Sequence, residues 1–277
     1  MEGPVTALAA GPDGLWAIVS DDAVWRSAGE QWRPVAEVRN HRARCVLPVE
    51  EGALVGTSEA HLFLVRDGTI GPVAAFDEAP GRDDWYTPWG GPPDTRSLAR
   101  GGDGALYANV HVGGILRSSD GGDGWEATID IDADVHQVVT HPDHPRVVLA
   151  ACARGLAGSE DGGATWVVET QGLHATYCRA VAVAGESVLV TASTGPFTDR
   201  AAVYRVPFAG LPGFERCTNG LPEWFGSNID SHCLAAAGGL AALGTEDGSV
   251  FRSDDEGRTW EMAAEGLPPV RAVAVVP

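Results

Sequence analysis

A basic or polar side chain recurs just before short apolar runs along the whole chain. The runs are triplets such as Ala-Leu-Ala, Cys-Val-Leu and Gln-Val-Val, and the recurring position holds Thr6, Arg44, Arg96, His136, Arg179, His232 and Arg271. Guanidinium groups donate paired hydrogen bonds to carboxylates and phosphates, and imidazoles add pH sensitivity. If the fold gathers these positions, they form a binding site for an anionic molecule or a carboxylate-bearing partner.

Aspartates lie two residues before three of these positions: Asp94 before Arg96, Asp134 before His136, and Asp230 before His232. Buried arginines need partners of this kind whether or not a ligand also binds. Two interpretations therefore stay open for this pattern, an internal network of ion pairs and a ligand-binding ring.

Acid–base chemistry and metal binding are further hypotheses for the same place. Two carboxylates of different pKa can hydrolyse a glycosidic bond that lies between them, and the candidate catalytic groups are Asp84, Glu59, Glu246 and Tyr86. The candidate ligands for a divalent metal come from separate segments, without the local spacing of a metal motif, and are His136, His232 and His111. No other cofactor is predicted.

Two long connections carry aromatic side chains beside carboxylates. The first, residues 77–96, contains Trp85, Tyr86 and Trp89, and the second, residues 218–230, contains Trp224. Long loops on a rigid scaffold are commonly functional, and exposed aromatic rings suit stacking on a flat ligand. The alternative is that these rings fill the channel of the fold.

The elements that must position these residues follow from an internal repeat. Segments 118–125, 159–166 and 253–260 align without gaps, each beginning with Ser and ending with Trp, and residues 26–32 form a shortened copy. They recur with a period of roughly 40 to 47 residues, which divides the chain into six units. Each unit holds about four short alternating runs separated by Gly, Asp or Pro, a pattern typical of a β-propeller blade.

The sequence therefore predicts an all-β protein, a single β-propeller domain over residues 1–277 with six four-stranded blades. Seven blades are the alternative. The last apolar run, residues 270–276, is predicted to form an extra innermost strand that helps to close the ring. Because the first strand of each blade lines the central channel, the recurring basic positions should surround one mouth of that channel.

The pattern Ser-x-Asp-x-Gly-x-Thr-Trp, complete at residues 159–166, resembles the Asp-box, or BNR repeat, of sialidases, sortilin-type receptors and photosystem II assembly factor-like propellers. The resemblance implies a propeller in which the Asp and Ser side chains satisfy turn amides and the Trp packs between blades. Through the sialidases it implies glycoside hydrolysis, although the Phe/Tyr-Arg-Ile-Pro motif of that family is absent here. Through the assembly factor-like propellers it implies a protein-assembly scaffold.

Composition narrows the function classes. The chain has 19 basic residues, all of them arginine, against 38 acidic ones, for a net charge of −19. This balance disfavours nucleic acids and anionic membranes as partners, and the absence of lysine excludes Schiff-base chemistry on a lysine side chain. The N-terminus lacks a signal-peptide pattern and the five cysteines lack paired spacing, which predicts a cytoplasmic protein with reduced thiols.

The leading functional hypothesis is a propeller that binds a small polar or anionic molecule, or an acidic protein segment, at a mouth ringed by Arg and His. A hydrolase or lyase that uses the same pocket is the first alternative. A protein-assembly scaffold without a small ligand is the second.

Overall fold

Six four-stranded antiparallel sheets follow one another along the chain in a computed structural model, which describes residues 2–210 and 213–276. Within every sheet the strands pair in sequence order, so each sheet is one repeat unit. The predicted six-bladed β-propeller with four-stranded blades is confirmed.

The blades are numbered in chain order. Blade 1 contains β1 (Val5–Gly11), β2 (Gly14–Val19), β3 (Ala23–Ala28) and β4 (Gln31–Glu37). Blade 2 contains β5 (Ala43–Val49), β6 (Gly52–Thr57), β7 (Leu62–Arg66) and β8 (Thr69–Pro72). Blade 3 contains β9 (Thr95–Arg100), β10 (Leu106–Val110), β11 (Gly114–Ser118) and β12 (Glu126–Ala127).

Blade 4 contains β13 (Val135–Thr140), β14 (Val148–Cys152), β15 (Gly155–Ser159) and β16 (Val167–Glu169). Blade 5 contains β17 (Tyr177–Ala184), β18 (Ser187–Ser193), β19 (Ala201–Pro207) and β20 (Glu215–Arg216). Blade 6 contains β21 (Leu234–Ala237), β22 (Leu240–Gly244), β23 (Val250–Ser253) and β24 (Glu261–Ala264). The helical segments are α1 (Ala74–Asp77) and the 3₁₀ turns Ser58–Ala60, Arg82–Asp84, Ile131–Ala133 and Phe208–Gly210.

The hydrophobic core lies between blades rather than inside one sheet. Five clusters of buried side chains each join two successive blades, from blades 1 and 2 to blades 5 and 6. One of them combines Leu54 and Leu62 of blade 2 with Leu106 and Leu116 of blade 3. Blades 2 to 5 thus bury apolar surface on both faces, and burial of this kind is the main stabilising contribution to folding.

The direction of the strands separates two faces of the propeller. Because strands within a blade are antiparallel, the loops between second and third strands lie at the same end as the connections from one blade to the next. We call this end the entry face, since every first strand begins there. The loops between third and fourth strands, which carry the three repeated segments, lie at the opposite end.

The three repeated segments fold into the same turn. In each, the Ser Oγ accepts a hydrogen bond from a Gly N–H four residues later, and the Asp accepts one from the N–H four residues after it. The Trp Nε1 donates to a Gly carbonyl at 3.1 Å in all three. Hydrogen bonds from Thr165 to the carboxylate lower the pKa of Asp161 to about 2.

Replacement of Ser159 by alanine should destabilise the fold through this turn. The Ser159 hydroxyl is buried and accepts the Gly163 N–H at 2.8 Å, so alanine leaves a buried donor without a partner. We expect a loss of about 1–3 kcal/mol in the free energy of unfolding, measured by urea denaturation. Glu160→Ala changes an exposed neighbour and is the control. Equal effects of both substitutions would contradict the expected role of the hydroxyl.

Residues 270–276 do not form the predicted extra strand. The segment is attached to blade 6 by two separate backbone hydrogen bonds, Val270 N–H to the Thr245 carbonyl at 3.0 Å and Val273 N–H to the His232 carbonyl at 2.7 Å. Gly244 allows this approach, because a Cβ there would lie 2.2 Å from Val270 Cγ1. The segment packs on blade 6 without the regular ladder that defines a strand.

All five cysteines are buried free thiols, as predicted from their spacing. Burial raises the pKa of Cys45, Cys152, Cys178 and Cys233 to about 12, so these thiols stay protonated and unreactive at neutral pH. Among the described residues no helix has the length and apolar character needed to cross a bilayer.

Candidate functional site

The recurring basic positions coincide with β-bulges at the start of the first strands. The pairing of first and second strands skips Thr6, Arg44, Arg96 and His136 in blades 1 to 4, and in blade 5 it jumps from Cys178 to Val181, across Arg179. A bulge leaves one residue outside the ladder and turns its side chain away from the sheet. We call the six positions the mouth ring: Thr6, Arg44, Arg96, His136, Arg179 and His232.

Aspartates before the first strands pair with the preceding blade, not with their own. Asp94 of blade 3 contacts Arg44 Nε of blade 2 at 2.8 Å, and Asp230 of blade 6 contacts Arg179 of blade 5 at 2.6 Å. The ion-pair network that the sequence left open is therefore present at two ring arginines. It is offset by one blade because the carboxylate lies in the connection that crosses from one blade to the next.

At blade 4 the offset by one blade is kept, but the partner is not the ring arginine. Its aspartate, Asp134, lies 3.1 Å from His111 Nε2 in the loop between β10 and β11, and this histidine lowers the pKa of the Asp134 carboxyl. Asp134 is thereby directed away from the preceding ring arginine, Arg96. Among the described residues, no carboxylate oxygen lies within 4.0 Å of the Arg96 guanidinium, and no hydrogen bond from that group is present.

Arg96 is consequently the cation of the ring without a direct partner in the described part of the chain. Burial and then the neighbouring positive charge of Arg179 lower the pKa of Arg96. Arg179 itself is held by Asp230 and donates to the Tyr177 hydroxyl at 3.2 Å. A partly buried guanidinium near a second cation is a site that an anion would stabilise.

A short segment before β21 crosses the channel at the entry face. The Ser231 hydroxyl lies 2.9 Å from the His136 carbonyl oxygen and 3.0 Å from that of Arg179, and it can donate to one of them at a time. His232 Nε2 is 3.1 Å from the Arg96 carbonyl oxygen, to which it donates. Residues of blade 6 thus reach blades 3, 4 and 5, which fixes the ring residues relative to one another.

Two of the three predicted metal ligands come together, and the third does not. His111 and His136 both face Asp134, and the ligand atoms of these three residues lie within 4.8 Å of one another. His232 is occupied by its contact with the Arg96 carbonyl, so Asp134 stands where the sequence hypothesis placed His232. Burial lowers the pKa of His136 to about 3, which keeps the ring neutral and able to bind a cation.

The predicted aromatic residues separate into exposed and packed ones. Trp89 is 70% exposed and its ring lies 5.2 Å from that of His111, so it covers one side of the site. Trp85 packs against Phe76 and beneath Arg82 in the cluster of blades 2 and 3. Trp224 contacts Arg216, with 3.9 Å from the guanidinium carbon to the ring centre, and packs with the cluster of blades 4 and 5. Among the described residues, neither Trp85 nor Trp224 makes a contact that would place its ring inside the channel.

The candidate catalytic groups lie on different parts of the entry face. Glu59 follows β6 with a positive φ of 63° and faces His41 and His61, whereas Glu246 lies in the β22–β23 loop of blade 6. Asp84 and Tyr86 are exposed residues of the connection between blades 2 and 3. Arg82, in the same turn as Asp84, donates to the Glu59 carbonyl at 3.0 Å, so the Asp84 turn lies beside Glu59.

Two grooves open on the entry face beside ring residues. One has a volume of about 660 Å³, lies between blades 5 and 6, and is lined by Arg179, Asn228, Asp230 and Glu246. The other, of about 690 Å³, lies between blades 1 and 2 and is lined by Arg44, His41 and Glu59. Both are large enough for a small polar molecule. Arg271, the seventh predicted ring member, is exposed in the C-terminal segment.

The fold is a six-bladed β-propeller in which Arg44, Arg96 and Arg179 lie at the start of first strands, on the entry face. Solved structures with a similar fold include an ancestral GH74 enzyme (TM-score 0.71, 16% identity, 95% of this chain and 39% of that one) and U3-55K (0.69, 14%, 99% and 85%). YCF48 from Cyanidioschyzon merolae is also similar (0.64, 16%, 96% and 87%).

These likenesses show the fold alone, because the identities are so low. The chain spans about two fifths of the length of the GH74 enzyme it matches. No protein-family profile matches the chain, and no curated protein matches it either.

Sequence reasoning missed two parts of the site. It placed Asp134 as a partner of His136 alone, and it did not foresee that Ser231 crosses the channel. The Asp-x-His spacing marked Asp134 and Asp230 as related positions, but their different contacts depend on which blade each side chain reaches. That information is absent from a local pattern.

Proposed function

We propose that the protein is a binding propeller that holds a small anionic molecule at the mouth ring, with Arg96 as its principal contact. The observation that carries this proposal is that Arg96 lacks a direct carboxylate partner in the described residues, while Arg44 and Arg179 have one. A carboxylate or phosphate at Arg96 would replace the missing partner. It would also reduce the repulsion from Arg179 that lowers the Arg96 pKa.

Binding is favoured over hydrolysis by the distribution of acidic groups. Hydrolysis of a glycoside requires two carboxyl groups on either side of one bond, at most about 10 Å apart. Asp84, Glu59 and Glu246 are exposed side chains, whereas the general acid of such a pair is a carboxyl group set in an apolar environment. The fold similarity to a GH74 enzyme therefore supports the scaffold of this proposal and not a shared reaction.

The three repeated turns have a structural role in this proposal, as Asp-boxes of the BNR type. Their Ser, Asp and Trp polar atoms are used within the turn itself, and the turns lie on the face opposite the mouth ring. The buried, reduced cysteines support a cytoplasmic location, since disulfides are rare in reducing compartments.

A ligand screen on metal-free protein tests the proposal. Thermal shift followed by calorimetric titration would be carried out with phosphate, citrate, short dicarboxylates and sugar acids as probes. We expect at least one anion to stabilise the protein, and Arg96→Ala to weaken its binding about 10- to 100-fold, since a charged hydrogen bond contributes about 1.5–3 kcal/mol.

Arg271→Ala is the matched control for that experiment. It changes the net charge by the same amount as Arg96→Ala, but the arginine that it removes is exposed and lies outside the ring. If both substitutions weakened anion binding equally, the effect would come from the overall charge of the protein. That result would contradict a binding site at Arg96. Absence of any shift with all probes would favour a protein partner in place of a small anion.

Neutralising Asp230 should have the opposite effect. Asp230→Asn keeps the shape of the side chain but removes the carboxylate that occupies Arg179. A second free guanidinium beside Arg96 should tighten anion binding several-fold, because charged hydrogen bonds are the stronger ones. Titration of the variant with the anion found in the screen measures this. Unchanged or weaker binding would place the anion away from Arg179.

A further inference from the structure

Three side chains from neighbouring blades converge beside the mouth ring with geometry suited to a metal ion. His111 Nε2 lies 3.1 Å and His136 Nε2 lies 3.7 Å from the same oxygen, Asp134 Oδ1. Ligand atoms about 2.1 Å from a shared ion are about 3–3.5 Å apart in tetrahedral or octahedral coordination. The observed separations are close to that range.

The hydrogen bonding of His136 shows which of its ring nitrogens is free. Its Nδ1 lies 2.6 Å from the Cys178 carbonyl oxygen, which can only accept, so Nδ1 carries the proton. In the neutral ring Nε2 then has an unshared electron pair. The His136 side chain is fully buried, and Nε2 has no hydrogen-bond partner among the described residues.

This free nitrogen faces another acceptor. His136 Nε2 and Asp134 Oδ1 both carry lone pairs, and two buried acceptors at this distance are unfavourable unless a proton donor or a cation lies between them. His111, only 5% exposed, completes the group from the β10–β11 loop. The Cys178 carbonyl orients His136 in the way that outer partners orient metal-binding histidines.

The backbone holds the other two ligands in place. Asp134 adopts a left-handed conformation with φ of 48°, and its carbonyl accepts the Ala153 N–H at 3.1 Å. The His111 N–H donates to the Asp94 carbonyl at 3.0 Å. Ligands fixed by their own backbone contacts lose little entropy when an ion binds.

We propose that His111, Asp134 and His136 bind a divalent first-row transition metal ion, of the class of Zn²⁺, Fe²⁺, Mn²⁺ or Co²⁺. Two imidazoles with one carboxylate suit these ions, whereas Ca²⁺ and Mg²⁺ prefer oxygen ligands. Three protein ligands leave at least one coordination position open. The site does not depend on anion binding at Arg96.

A second cluster of histidines is the competing location. His41, Glu59 and His61 also place three ligand atoms within 4.8 Å of one another, next to the groove of blades 1 and 2. Its Glu59 side chain is more than half exposed, and His61 Nδ1 is bound to Asp77 at 2.7 Å. It lacks a fully buried ligand like His136, so we assign the ion to the first cluster.

The test uses the full chain without a histidine tag, stripped with EDTA and dialysed. Titration with Co²⁺ is followed by its visible absorption, and equilibrium dialysis with Zn²⁺ by elemental analysis. We expect one equivalent bound with micromolar or tighter affinity. Asp134→Asn and His111→Asn should weaken binding at least tenfold, while His61→Asn, the matched control, should leave it unchanged.

Circular dichroism and thermal melting show whether each metal-free variant is folded. Two proposed ligands are substituted separately, so that the test still stands if one of these variants does not fold. Failure to bind either metal, equal binding by all variants, or loss in His61→Asn alone would each overturn the proposal. The anion screen is run on metal-free protein, so an anion shift without metal uptake would leave the proposed function standing while this inference fails. Metal uptake without an anion shift would do the reverse.

Discussion

Replacing Trp125 by alanine is expected to lower the free energy of unfolding by about 3–5 kcal/mol, the range for truncating a buried aromatic side chain. Trp125 is 7% exposed and belongs to the cluster between blades 2 and 3. Its ring meets Phe76 edge to face at 5.0 Å, and its Nε1 donates to the Gly122 carbonyl. Alanine would open a cavity between the blades and remove both contacts.

Urea or guanidinium denaturation of the purified variant measures this loss. Trp89→Ala is the matched control, since the same truncation at a side chain that is 70% exposed should change stability by less than about 1 kcal/mol. Similar losses for Trp125→Ala and Trp89→Ala would show that stability does not depend on packing between blades. Trp125→Phe should retain part of the stability, because the aromatic contact with Phe76 is kept.

Stability should fall as the pH decreases from about 6.5, and His232 should contribute to this slope. Burial lowers the pKa of His232, and also that of His141 and His174. Below the ordinary histidine pKa the unfolded chain binds protons that the folded protein does not, so acid favours unfolding until the lower, folded-state pKa is reached. Each such histidine contributes up to about 1.4 kcal/mol per pH unit in that window.

The variant that isolates this contribution is His232→Asn. Asparagine tolerates the positive φ of 73° at this position and can still donate a hydrogen bond, but it does not titrate. Denaturation of metal-free protein from pH 8 to pH 5 should give a flatter decline for the variant than for the unmodified chain. Parallel curves would mean that His232 binds a proton equally in the folded and unfolded states. This window lies above the range in which Asp161 and Asp255 titrate.

The alignment of ring positions was predictable because it depends on a local feature. Each ring residue stands at the same distance before an apolar triplet, and in blades 1 to 5 this is the point at which the β-bulge occurs. The arginine that each aspartate contacts was not predictable in the same way. Asp94 contacts Arg44 and Asp230 contacts Arg179 because adjacent blades bring the connection of one against the first strand of the other.

The role of the aromatic residues shows the same limit. The sequence pattern placed Trp85, Trp89 and Trp224 in long connections. It could not distinguish an aromatic ring that packs between blades from one that is exposed to solvent. Phe76 and Arg82 enclose Trp85, whereas no residue in the described part of the chain covers Trp89 in the same way, and Trp89 is 70% exposed. Burial is decided by the neighbouring segments, which the sequence of one loop does not contain.

The sequence by itself determined the number of blades, the four strands of each, the turn formed by each repeated segment and the positions of the ring, because all of these follow from local periodicity and short-range hydrogen bonds. Only the tertiary structure decided that Asp134 faces His111 and His136, that Arg96 is left without a direct partner in the described chain, and that Ser231 crosses the channel. The Asp134–His111 contact joins blades 3 and 4, and the Ser231 contacts join blade 6 to blades 4 and 5. Their geometry is set by how the blades pack around the channel, which no local pattern encodes.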